Sequence, residues 1–494
     1  MAFAITQTCC SDASCVSVCP VNCIHPTPDE PDFGTTEMLY VDPDTCIDCG
    51  ACADACPVDA IHPLDELTGA LAAYGEINAA YFADREPAAA APSAAPNFHR
   101  WPQPVFAHDI PSDMAPLDVA VIGTGPAGMY AVEELVLHTN ATVTLIDRHP
   151  VPGGLIRFGV APDHPSTKRI GETFARFHDH PRVRLRLGVE VGRDVTVEEL
   201  SARHDAVVCA VGASSARRLG VPGEELPGVV AATTVVGWYN GHPDVPADAV
   251  DLSAERVVLV GNGNVALDVA RILTADPDDL AGTTIAPHAL RRLRSSAVRE
   301  VVLLARRGPE HAAFTAPELL ALTQRAGVPV VVDCAEPVPG GARGTKAGLL
   351  ASLPVEQVDW TAPPPAGRRI VLAFHKTPTA IVGDTRVRGV RTVETEIVAG
   401  QVVTAIGYRG VAVPGLPFDE ATGTVPNTGG RVDDRVGVYV VGWIKRGPSG
   451  GIGANRTCAK ETVSALISDA VSGALPTRRR RSPIAALAGR LLNR

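Results

Sequence analysis

Residues 118–128 read Asp-Val-Ala-Val-Ile-Gly-Thr-Gly-Pro-Ala-Gly, an apolar run that leads straight into the pattern G-x-G-x-x-G. The run predicts a buried strand, Asp118–Ile122, followed by a helix that begins at Pro126. Such a turn needs glycine, which permits the tight bend and lets a pyrophosphate approach the helix N-terminus. The glycines of the pattern are Gly123, Gly125 and Gly128.

An acidic residue completes this pattern. Asp147 stands at the end of the next predicted strand, Val143–Ile146, where a carboxylate can bind the ribose hydroxyls of a dinucleotide. A glycine pattern alone is weak, because many tight turns contain one. Strand, helix and acid in the right order together predict a dinucleotide site in a parallel α/β sheet.

A second unit of the same kind follows. The strand Arg256–Val260 leads into Gly-Asn-Gly-Asn-Val-Ala at 261–266 and a helix that runs through Leu273. A later strand, Val301–Leu304, ends in Ala-Arg-Arg-Gly at 305–308, where an acid would favour NAD but guanidinium groups can pair with the 2′-phosphate of NADP. Two dinucleotide sites in one chain predict FAD in the first and NADP(H) in the second.

The N-terminal part of the chain is rich in cysteine. Residues 46–57 follow the spacing C-x2-C-x2-C-x3-C-P, in which three thiolates hold one iron–sulfur cluster and the fourth reaches the other cluster of a two-cluster ferredoxin. Zinc sites usually place their cysteine pairs farther apart, so the spacing favours iron–sulfur over zinc. The cysteines of this segment are Cys46, Cys49, Cys52 and Cys56.

The preceding half of the module is incomplete. Cys19, which precedes a proline, is predicted to complete the [4Fe-4S] cluster of Cys46, Cys49 and Cys52. The second site then holds Cys56, Cys15 and one of the neighbours at positions 9 and 10, with Cys9 preferred. The middle cysteine of the usual pattern is missing, which leaves three obvious ligands. In this the module resembles the seven-iron ferredoxins, and the resemblance implies a [3Fe-4S] cluster there. A fourth ligand, Cys10 or Cys23, would give a second [4Fe-4S] cluster, and the spacing leaves this alternative open.

Charge and cysteine usage agree with an intracellular electron carrier. Residues 1–84 contain fourteen acidic residues and no Lys or Arg, so this part carries −14 and the remainder +3 of the total of −11. An acidic surface favours solubility and docking on a basic redox partner. No secretory signal and no apolar stretch of membrane-spanning length are found, which predicts a cytoplasmic protein. The four arginines at 478–481 favour a solvated basic tail over a nucleic-acid or membrane contact, so neither partner is predicted.

The domain organisation follows from these patterns and from composition. An Ala- and Pro-rich stretch separates the cysteine module from the first glycine pattern, and an arginine-rich tail ends the chain. The predicted parts are an iron–sulfur domain at 1–72, a linker at 73–116, FAD-domain segments at 117–216 and 405–476, an NADP domain at 217–404, and a disordered basic tail at 477–494.

Several longer motifs carry a family resemblance. They are Gly-Leu-Ile-Arg-Phe-Gly-Val-Ala-Pro-Asp-His at 154–164, Gly-Asn-Gly-Asn-Val-Ala-Leu-Asp-Val-Ala-Arg at 261–271, Arg-Arg-Gly-Pro at 306–309, Ala-Phe-Thr at 313–315, and Gly-Trp-Ile-Lys-Arg-Gly-Pro-Ser-Gly-Gly-Ile-Gly at 442–453. Together they resemble the ferredoxin–NADP reductases of the adrenodoxin-reductase type, over about residues 117–470. The first 70 residues resemble a bacterial ferredoxin of the seven-iron type.

The resemblance implies a fold and a set of site residues. The fold is α/β, with two Rossmann-like domains arranged as in glutathione reductase, joined to a small α+β ferredoxin-like domain. The residues that the resemblance places at the flavin are Ala127, Asp147, Leu155, Val191, Trp443, Gly450, Gly451 and Ile452. Those that it places at NADP are Arg217, Asn262, Gly263, Asn264, Val265, Arg306, Arg307, Glu318 and Gly450.

Two residues match the family pair near the reactive rings, His164 and Asp268. A proton must accompany hydride transfer there, although a hydrogen-bonded structural role fits both residues nearly as well. Ala321 stands where some relatives carry an acid one turn after Glu318, so a proton route through that carboxylate is absent in this chain.

The resulting hypothesis is a ferredoxin–NADP reductase in which NADPH reduces FAD, and FAD passes single electrons to its own clusters or to a separate ferredoxin. The final acceptor is then a redox enzyme such as a cytochrome P450. One alternative is the NADPH-oxidising subunit of a complex such as glutamate synthase, although the short Cys-Pro repeats argue against it. Another is a redox carrier or sensor that does not turn over NADPH.

Overall fold

The structure of the chain is a computed structural model that describes residues 2–83, 110–324, 327–341 and 345–476. The predicted basic tail, 477–494, and most of the predicted linker lie outside the described residues. None of the described helices is both long and apolar enough to cross a bilayer.

The iron–sulfur unit comes first and is built from two antiparallel strand pairs and three helices. Strand β1 pairs with β4, and β2 pairs with β3. The elements are β1 (Phe3–Ile5), α1 (Ser14–Val18), β2 (Ile24–His25), β3 (Tyr40–Val41), α2 (Ala51–Ala55), β4 (Ile61–Pro63) and α3 (Ala73–Ala83).

Helix α3 corrects the predicted start of the linker at residue 73. Its buried Asn78 accepts hydrogen bonds from the backbone N–H groups of Ile5 (3.1 Å) and Val41 (2.9 Å) and donates to the Ile5 carbonyl (2.8 Å). One amide thereby satisfies backbone groups of both strand pairs, which would otherwise be buried without partners. The iron–sulfur unit therefore extends to residue 83. The sequence pattern did not indicate this, because the segment is alanine-rich like the linker.

The first dinucleotide-binding unit follows. Its elements are β5 (Asp118–Ile122), α4 (Pro126–His138), β6 (Thr142–Asp147), α5 (Gly154–Phe158), α6 (Pro165–Lys168), α7 (Ile170–His178), β7 (Val183–Leu187), α8 (Val197–Arg203), β8 (Ala206–Cys209) and β9 (Ser215–Ala216). Strand β5 lies between β6 and β8 and is parallel to both, as predicted for a dinucleotide-binding sheet. The predicted bounds of β5 and the predicted start of α4 are confirmed.

The second dinucleotide-binding unit is inserted next. Its strands are β10 (Val229–Ala231), β11 (Arg256–Val260), β12 (Glu300–Leu304), β13 (Val330–Asp333), β14 (Arg369–Ala373), β15 (Pro378–Gly383), β16 (Val387–Thr392), β17 (Glu396–Val398) and β18 (Gln401–Thr404). Its helices are α9 (Ala232–Tyr239), α10 (Asn264–Thr274), α11 (Pro277–Leu280), α12 (Pro287–Arg294), α13 (Ala316–Thr323) and α14 (Lys346–Ala351). Six strands form a parallel sheet in the order β10-β18-β11-β12-β14-β13, beside a three-stranded antiparallel sheet.

The chain then returns to the first unit. The last elements are β19 (Tyr408–Arg409), β20 (Asn427–Thr428), β21 (Arg431–Val432), β22 (Val438–Val440), α15 (Trp443–Arg446) and α16 (Ala454–Val471). Strand β22 pairs in parallel with β8, which gives a seven-stranded sheet in the order β20-β21-β22-β8-β5-β6-β7. Strands β9 and β19 pair with each other where the chain leaves the first unit and comes back. Helix α16 packs on α4.

A buried cluster of charged side chains links neighbouring strands of the second sheet. Glu300, which is fully buried, accepts from the guanidinium groups of Arg256 and Arg369 on the two neighbouring strands. Arg256 also donates to the Trp360 carbonyl (3.2 Å) and the Val398 carbonyl (3.0 Å). The central carboxylate thus supplies the counter-charge for a buried cation whose other hydrogen bonds, among the described residues, go to neutral carbonyl groups.

We expect Glu300→Ala to destabilise the protein by about 3–5 kcal/mol, because it leaves the buried Arg256 without a counter-charge. Urea unfolding followed by circular dichroism measures this change. The matched control is Glu255→Ala, which removes an exposed carboxylate at the start of the same sheet and should change stability by less than about 0.5 kcal/mol. Equal losses for both variants would contradict the assignment.

Candidate redox site

At two positions of the first glycine turn, Gly123 and Gly128, there is no room for a side chain. Gly123 has a φ of +109°, and a Cβ there would lie 2.9 Å from the carbonyl carbon of Ala210. A Cβ on Gly128 would overlap the Gly123 carbonyl, and one on Gly154 would lie 2.7 Å from the Cα of Gly125. Strand β5, helix α4 and helix α5 therefore meet backbone to backbone, which leaves the N-terminus of α4 accessible to a pyrophosphate group.

Asp147 lies at the end of β6 beside this turn and is buried. Its carboxylate accepts from the N–H (2.8 Å) and hydroxyl (2.5 Å) of Thr124 and from the N–H of His149 (2.9 Å). A carboxylate offers about four acceptor positions, so one remains for a ribose hydroxyl. The Asp147 carboxylate therefore stabilises the turn and also fits the predicted contact with the dinucleotide.

The loop between α15 and α16 closes over the same region. The indole N–H of Trp443 donates to the carbonyls of Ser449 (3.1 Å) and Gly450 (3.3 Å). The Asn455 amide donates to the carbonyls of Gly451 (3.1 Å) and Ile452 (3.0 Å). A Cβ on Gly442, just before Trp443, would press on Ala127 at the start of α4. Residues 450–452 and Ala127 are thereby brought to one place.

Two other predicted flavin residues flank this turn. Leu155 is half-buried on α5, next to the close approach of Gly154 to Gly125. Val191 is half-buried in the loop after β7 and packs on core residues of β5 and β8, including Ile122. Leu155 and Val191 therefore lie on or against the elements that form the first glycine turn.

The second glycine turn repeats the geometry of the first. Gly261 has a φ of +121°, and a Cβ there would lie 2.9 Å from the carbonyl carbon of Ala405. Gly263 faces open space at the N-terminus of α10, where a ligand can approach the backbone. Asn264 pairs with Thr315, donating to its hydroxyl (3.2 Å) and accepting from its N–H (2.8 Å), so α10 and α13 are fixed together. Asn262 and Val265 are half-buried on either side of this turn.

The predicted phosphate-binding arginines are exposed. Arg306 and Arg307 follow β12, and β12 runs parallel to β11 and directly beside it. Within the described ranges neither guanidinium has an ion-pair partner, so both are available to an anion. Arg217 follows β9, where its Nε donates to the Tyr408 carbonyl (3.3 Å).

A compact group of charged residues joins the two units. His164, Asp268 and Glu318 lie with their ligating atoms within 4.8 Å of one another. The buried Arg271 donates to Asp268 (2.6 Å) and Glu318 (3.3 Å) and forms a two-bond pair with Asp163 (2.9 and 3.2 Å). The structure therefore brings the predicted pair together and adds Glu318, which was predicted only as an NADP contact.

One guanidinium faces three carboxylates in this group. Burial, followed by the charge of Asp268, raises the pKa of the Glu318 carboxyl to about 8. Burial and then Arg271 lower the pKa of His164. At neutral pH Glu318 therefore holds a proton while the imidazole of His164 is neutral.

The nine N-terminal cysteines form two groups. Cys19, Cys23, Cys46, Cys49 and Cys52 line one cavity together with Phe3, Val21, Ile47 and Gly50. The Sγ atoms of Cys19 and Cys23 lie 3.4 Å apart. Cys23 therefore belongs with the complete cysteine set, and the structure does not bring it to the incomplete one.

The other group consists of Cys9, Cys10, Cys15 and Cys56. Burial raises the pKa of Cys9 to about 11 and raises the pKa values of Cys10 and Cys15 well above that of a free thiol. Burial destabilises a thiolate unless a cation lies beside it. Iron supplies this positive charge when a deprotonated cysteine binds it. Four soft donors in one place fit an iron–sulfur cluster, and the other group offers five.

Tyr130, which belongs to no sequence motif described above, lies near Cys10 of this second group. It lies on α4, and its buried hydroxyl finds no hydrogen-bond partner among the described residues. Burial raises its pKa well above the usual value, and the nearby Cys10 and Asp12 add to the rise. A lone buried donor beside four cysteines fits a site whose cluster sulfur atoms accept hydrogen bonds.

Comparisons with known proteins agree with this arrangement. The family model described as pyridine nucleotide-disulphide oxidoreductase matches residues 117–329, and that of the 4Fe-4S binding domain matches residues 39–62. The chain is 50% identical over 498 residues to a probable ferredoxin/ferredoxin–NADP reductase of Mycobacterium bovis, covering 96% of this chain and 85% of the relative. It is 39% identical over 411 residues to human mitochondrial NADPH:adrenodoxin oxidoreductase, covering 76% and 83%.

A solved structure gives the same result. The structure of Mycobacterium tuberculosis FprA in complex with NADPH superposes with a TM-score of 0.68 at 40% identity, covering 76% of this chain and 89% of that one. The fold and site define an oxidoreductase that uses FAD and NADP(H) and carries an iron–sulfur domain. The chain belongs to the ferredoxin–NADP reductases of the adrenodoxin-reductase type, in the group with a fused ferredoxin domain.

Proposed function

We propose that this reductase passes electrons between NADPH and two iron–sulfur clusters held by its own N-terminal unit. The observation that carries the proposal is the contact between the two halves of the chain. The Gly453 N–H, next to the loop that closes over the first glycine turn, donates to the carbonyl of Cys10 (2.8 Å). The predicted flavin site and one cysteine group are therefore neighbours within a single chain.

Bound FAD supplies the conversion between a two-electron hydride and single electrons. The residues proposed to hold it lie on the turn after β5, the end of β6, α5, the loop after β7 and the loop before α16. They are Gly123, Gly125, Ala127, Gly128, Asp147, Leu155, Val191, Trp443, Gly450, Gly451 and Ile452.

The proposed NADP(H) site lies on the second sheet. The N-terminus of α10 binds the pyrophosphate, and the exposed guanidinium groups after β12 bind the 2′-phosphate. Its residues are Arg217, Asn262, Gly263, Asn264, Val265, Arg306, Arg307, Glu318 and Gly450. The domain limits at 217 and 404 are part of this proposal, and the paired strands β9 and β19 lie next to both.

His164, Asp268 and Glu318 are proposed to control the proton that accompanies hydride transfer. Glu318 holds a proton on its carboxyl oxygen, His164 offers a neutral imidazole nitrogen close to both acids, and Asp268 helps to orient Glu318 through Arg271. Glu318 thus supplies the acid that some relatives place at the position of Ala321. Arg271 and Asp163 are positioning residues.

Cluster ligands are assigned by the two cysteine groups. We assign Cys19, Cys46, Cys49 and Cys52 to a [4Fe-4S] cluster. Cys9, Cys15 and Cys56 are assigned to a [3Fe-4S] cluster, with Cys10 as the fourth ligand if that site holds four irons. An outside ferredoxin or a redox enzyme such as a cytochrome P450 is the proposed final acceptor.

The coenzyme preference tests the proposed function. In the absence of oxygen, NADPH should bleach the flavin of the intact chain. Arg306→Ala with Arg307→Ala should raise the NADPH concentration for half-maximal bleaching by about 10–100-fold, because charge-assisted bonds to the 2′-phosphate are lost. The response to NADH, which lacks that phosphate, should change little.

Arg299→Ala is the matched control, because Arg299 is an exposed arginine at the opposite end of the same strand. It should leave both responses unchanged. The proposed function fails if NADPH does not bleach the flavin of the unaltered chain. The phosphate assignment alone fails if the double variant keeps its preference for NADPH.

A pH profile tests the role of Glu318. The rate of flavin bleaching by NADPH should be level below pH 8 and fall about tenfold for each further pH unit, because the carboxyl loses its proton as the pH rises through its pKa. Glu318→Gln should abolish this inflection, and the exposed Glu394→Gln should retain it. An unchanged inflection in Glu318→Gln would assign the titration to another group.

A further inference from the structure

The two halves of the chain meet at several places, which include the Glu37 carboxylate that accepts from the Ala316 N–H (2.8 Å) and the loop that carries the first cysteines. Besides the Gly453–Cys10 hydrogen bond, the Arg456 guanidinium donates to the Asp12 carbonyl (2.9 Å) and the Ser14 hydroxyl (3.2 Å). It also lies 3.6 Å from the Asp12 carboxylate. Residues 10–14 of the iron–sulfur unit are therefore fixed to the first turn of α16.

Gly453 allows this contact because it has no side chain. A Cβ there would lie 2.5 Å from the Asp12 nitrogen and closer still to the Ser11 carbonyl. The Gly453 backbone itself is helical, with φ −65° and ψ −32°, a conformation that alanine adopts readily. The glycine is thus required by the docked iron–sulfur unit and not by the helix.

Further contacts surround the same cysteine group. The Thr167 hydroxyl donates to the Thr8 carbonyl (3.5 Å), one residue before Cys9. Arg169 forms an ion pair with Asp59, three residues after Cys56. The hydroxyl of Tyr130, which has no hydrogen-bond partner in the part of the chain that the structure describes, lies near Cys10 on α4, the helix that begins at the first glycine turn. The flavin-binding unit therefore contacts the chain on several sides of the incomplete cysteine group.

The complete cysteine group faces the other way. Ile47, Asp48 and Cys49 are exposed in the loop that follows Cys46, and half of the Ile47 surface is open to solvent. An exposed apolar side chain beside a cluster ligand, in a unit of strongly negative charge, fits a surface that a basic one-electron carrier can approach.

We propose that the ferredoxin unit is docked in a fixed orientation, with the Cys9, Cys10, Cys15 and Cys56 site facing the flavin segment and the Cys19, Cys46, Cys49 and Cys52 site facing outward. This inference rests on the proposed function, because it orders the two cluster sites of that proposal. NADPH releases one proton and two electrons as it becomes NADP⁺. Bound FAD would pass these two electrons on one at a time. Iron held by Cys9, Cys10, Cys15 and Cys56 would accept each electron first, one ferric ion becoming ferrous, and iron held by Cys19, Cys46, Cys49 and Cys52 would pass it to a one-electron acceptor protein.

Gly453→Ala in the full-length, cluster-loaded chain tests the orientation. The new methyl group should displace residues 10–12, so the amide at position 453 and the amides of residues 8–14 should exchange hydrogen for deuterium faster. Flavin content and flavin bleaching by NADPH should not change. The following reduction of the clusters should slow by roughly tenfold or more, because the docked unit loses its effective concentration at the flavin. Gly282→Ala, where a Cβ meets nothing, is the control.

A second variant keeps the test decisive if Gly453→Ala folds poorly. Arg456→Glu reverses the charge that binds Asp12 and Ser14, and Lys460→Glu makes the same reversal one turn later on an exposed part of α16. Only the first should speed exchange at residues 8–14 and slow cluster reduction.

The outcomes separate this inference from the proposed function. If NADPH fails to bleach the flavin of the unaltered chain, the proposed function is wrong. If bleaching is normal but Gly453→Ala and Arg456→Glu change neither the exchange at residues 8–14 nor the rate of cluster reduction, the docked orientation is wrong. Slower cluster reduction without faster exchange would also overturn it, because the effect would then not come from undocking.

Discussion

Close approach of two backbones, at positions where no Cβ fits, is the constraint on which this molecule depends. At Gly123 and Gly261 it lets a strand turn directly into a helix, so that the helix N-terminus can face a dinucleotide phosphate. At Gly453 it lets the ferredoxin unit lie directly against the segment that adjoins the flavin site. The absence of a side chain at these glycines thus permits both nucleotide sites and the contact between the reductase and the ferredoxin unit.

Charged residues have different roles in the ferredoxin unit and in the interior of the reductase. Most acidic residues of the ferredoxin unit are exposed to solvent, while Asp12 and Asp59 pair with Arg456 and Arg169 where that unit meets the reductase. Inside the reductase a single guanidinium, that of Arg271, is shared by three carboxylates, and burial together with the charge of Asp268 raises the pKa of Glu318 so that it retains a proton. Solvated charges on the surface favour docking of a partner, whereas a buried carboxyl group near other negative charges keeps its proton.

Features encoded by adjacent residues were predictable from the sequence. The strand Asp118–Ile122 and the start of the next helix at Pro126 are confirmed, because a glycine turn dictates its own geometry. The group around Arg271 was not predicted as a unit, since its members come from three distant segments that only tertiary packing brings together. Spacing also left Cys10 and Cys23 equivalent as extra ligands, and the fold separates them. Helix α3 was missed because its role depends on contacts made by Asn78.

The most direct test of the account is anaerobic stopped-flow mixing of the cluster-loaded chain with NADPH at several protein concentrations, following flavin and cluster absorbance separately. Electron transfer within a docked chain predicts that flavin bleaching is followed by cluster reduction at a rate that does not depend on protein concentration. A rate of cluster reduction that rises in proportion to protein concentration, or clusters that stay oxidised after the flavin is bleached, would contradict the claim that the fused ferredoxin is the internal acceptor.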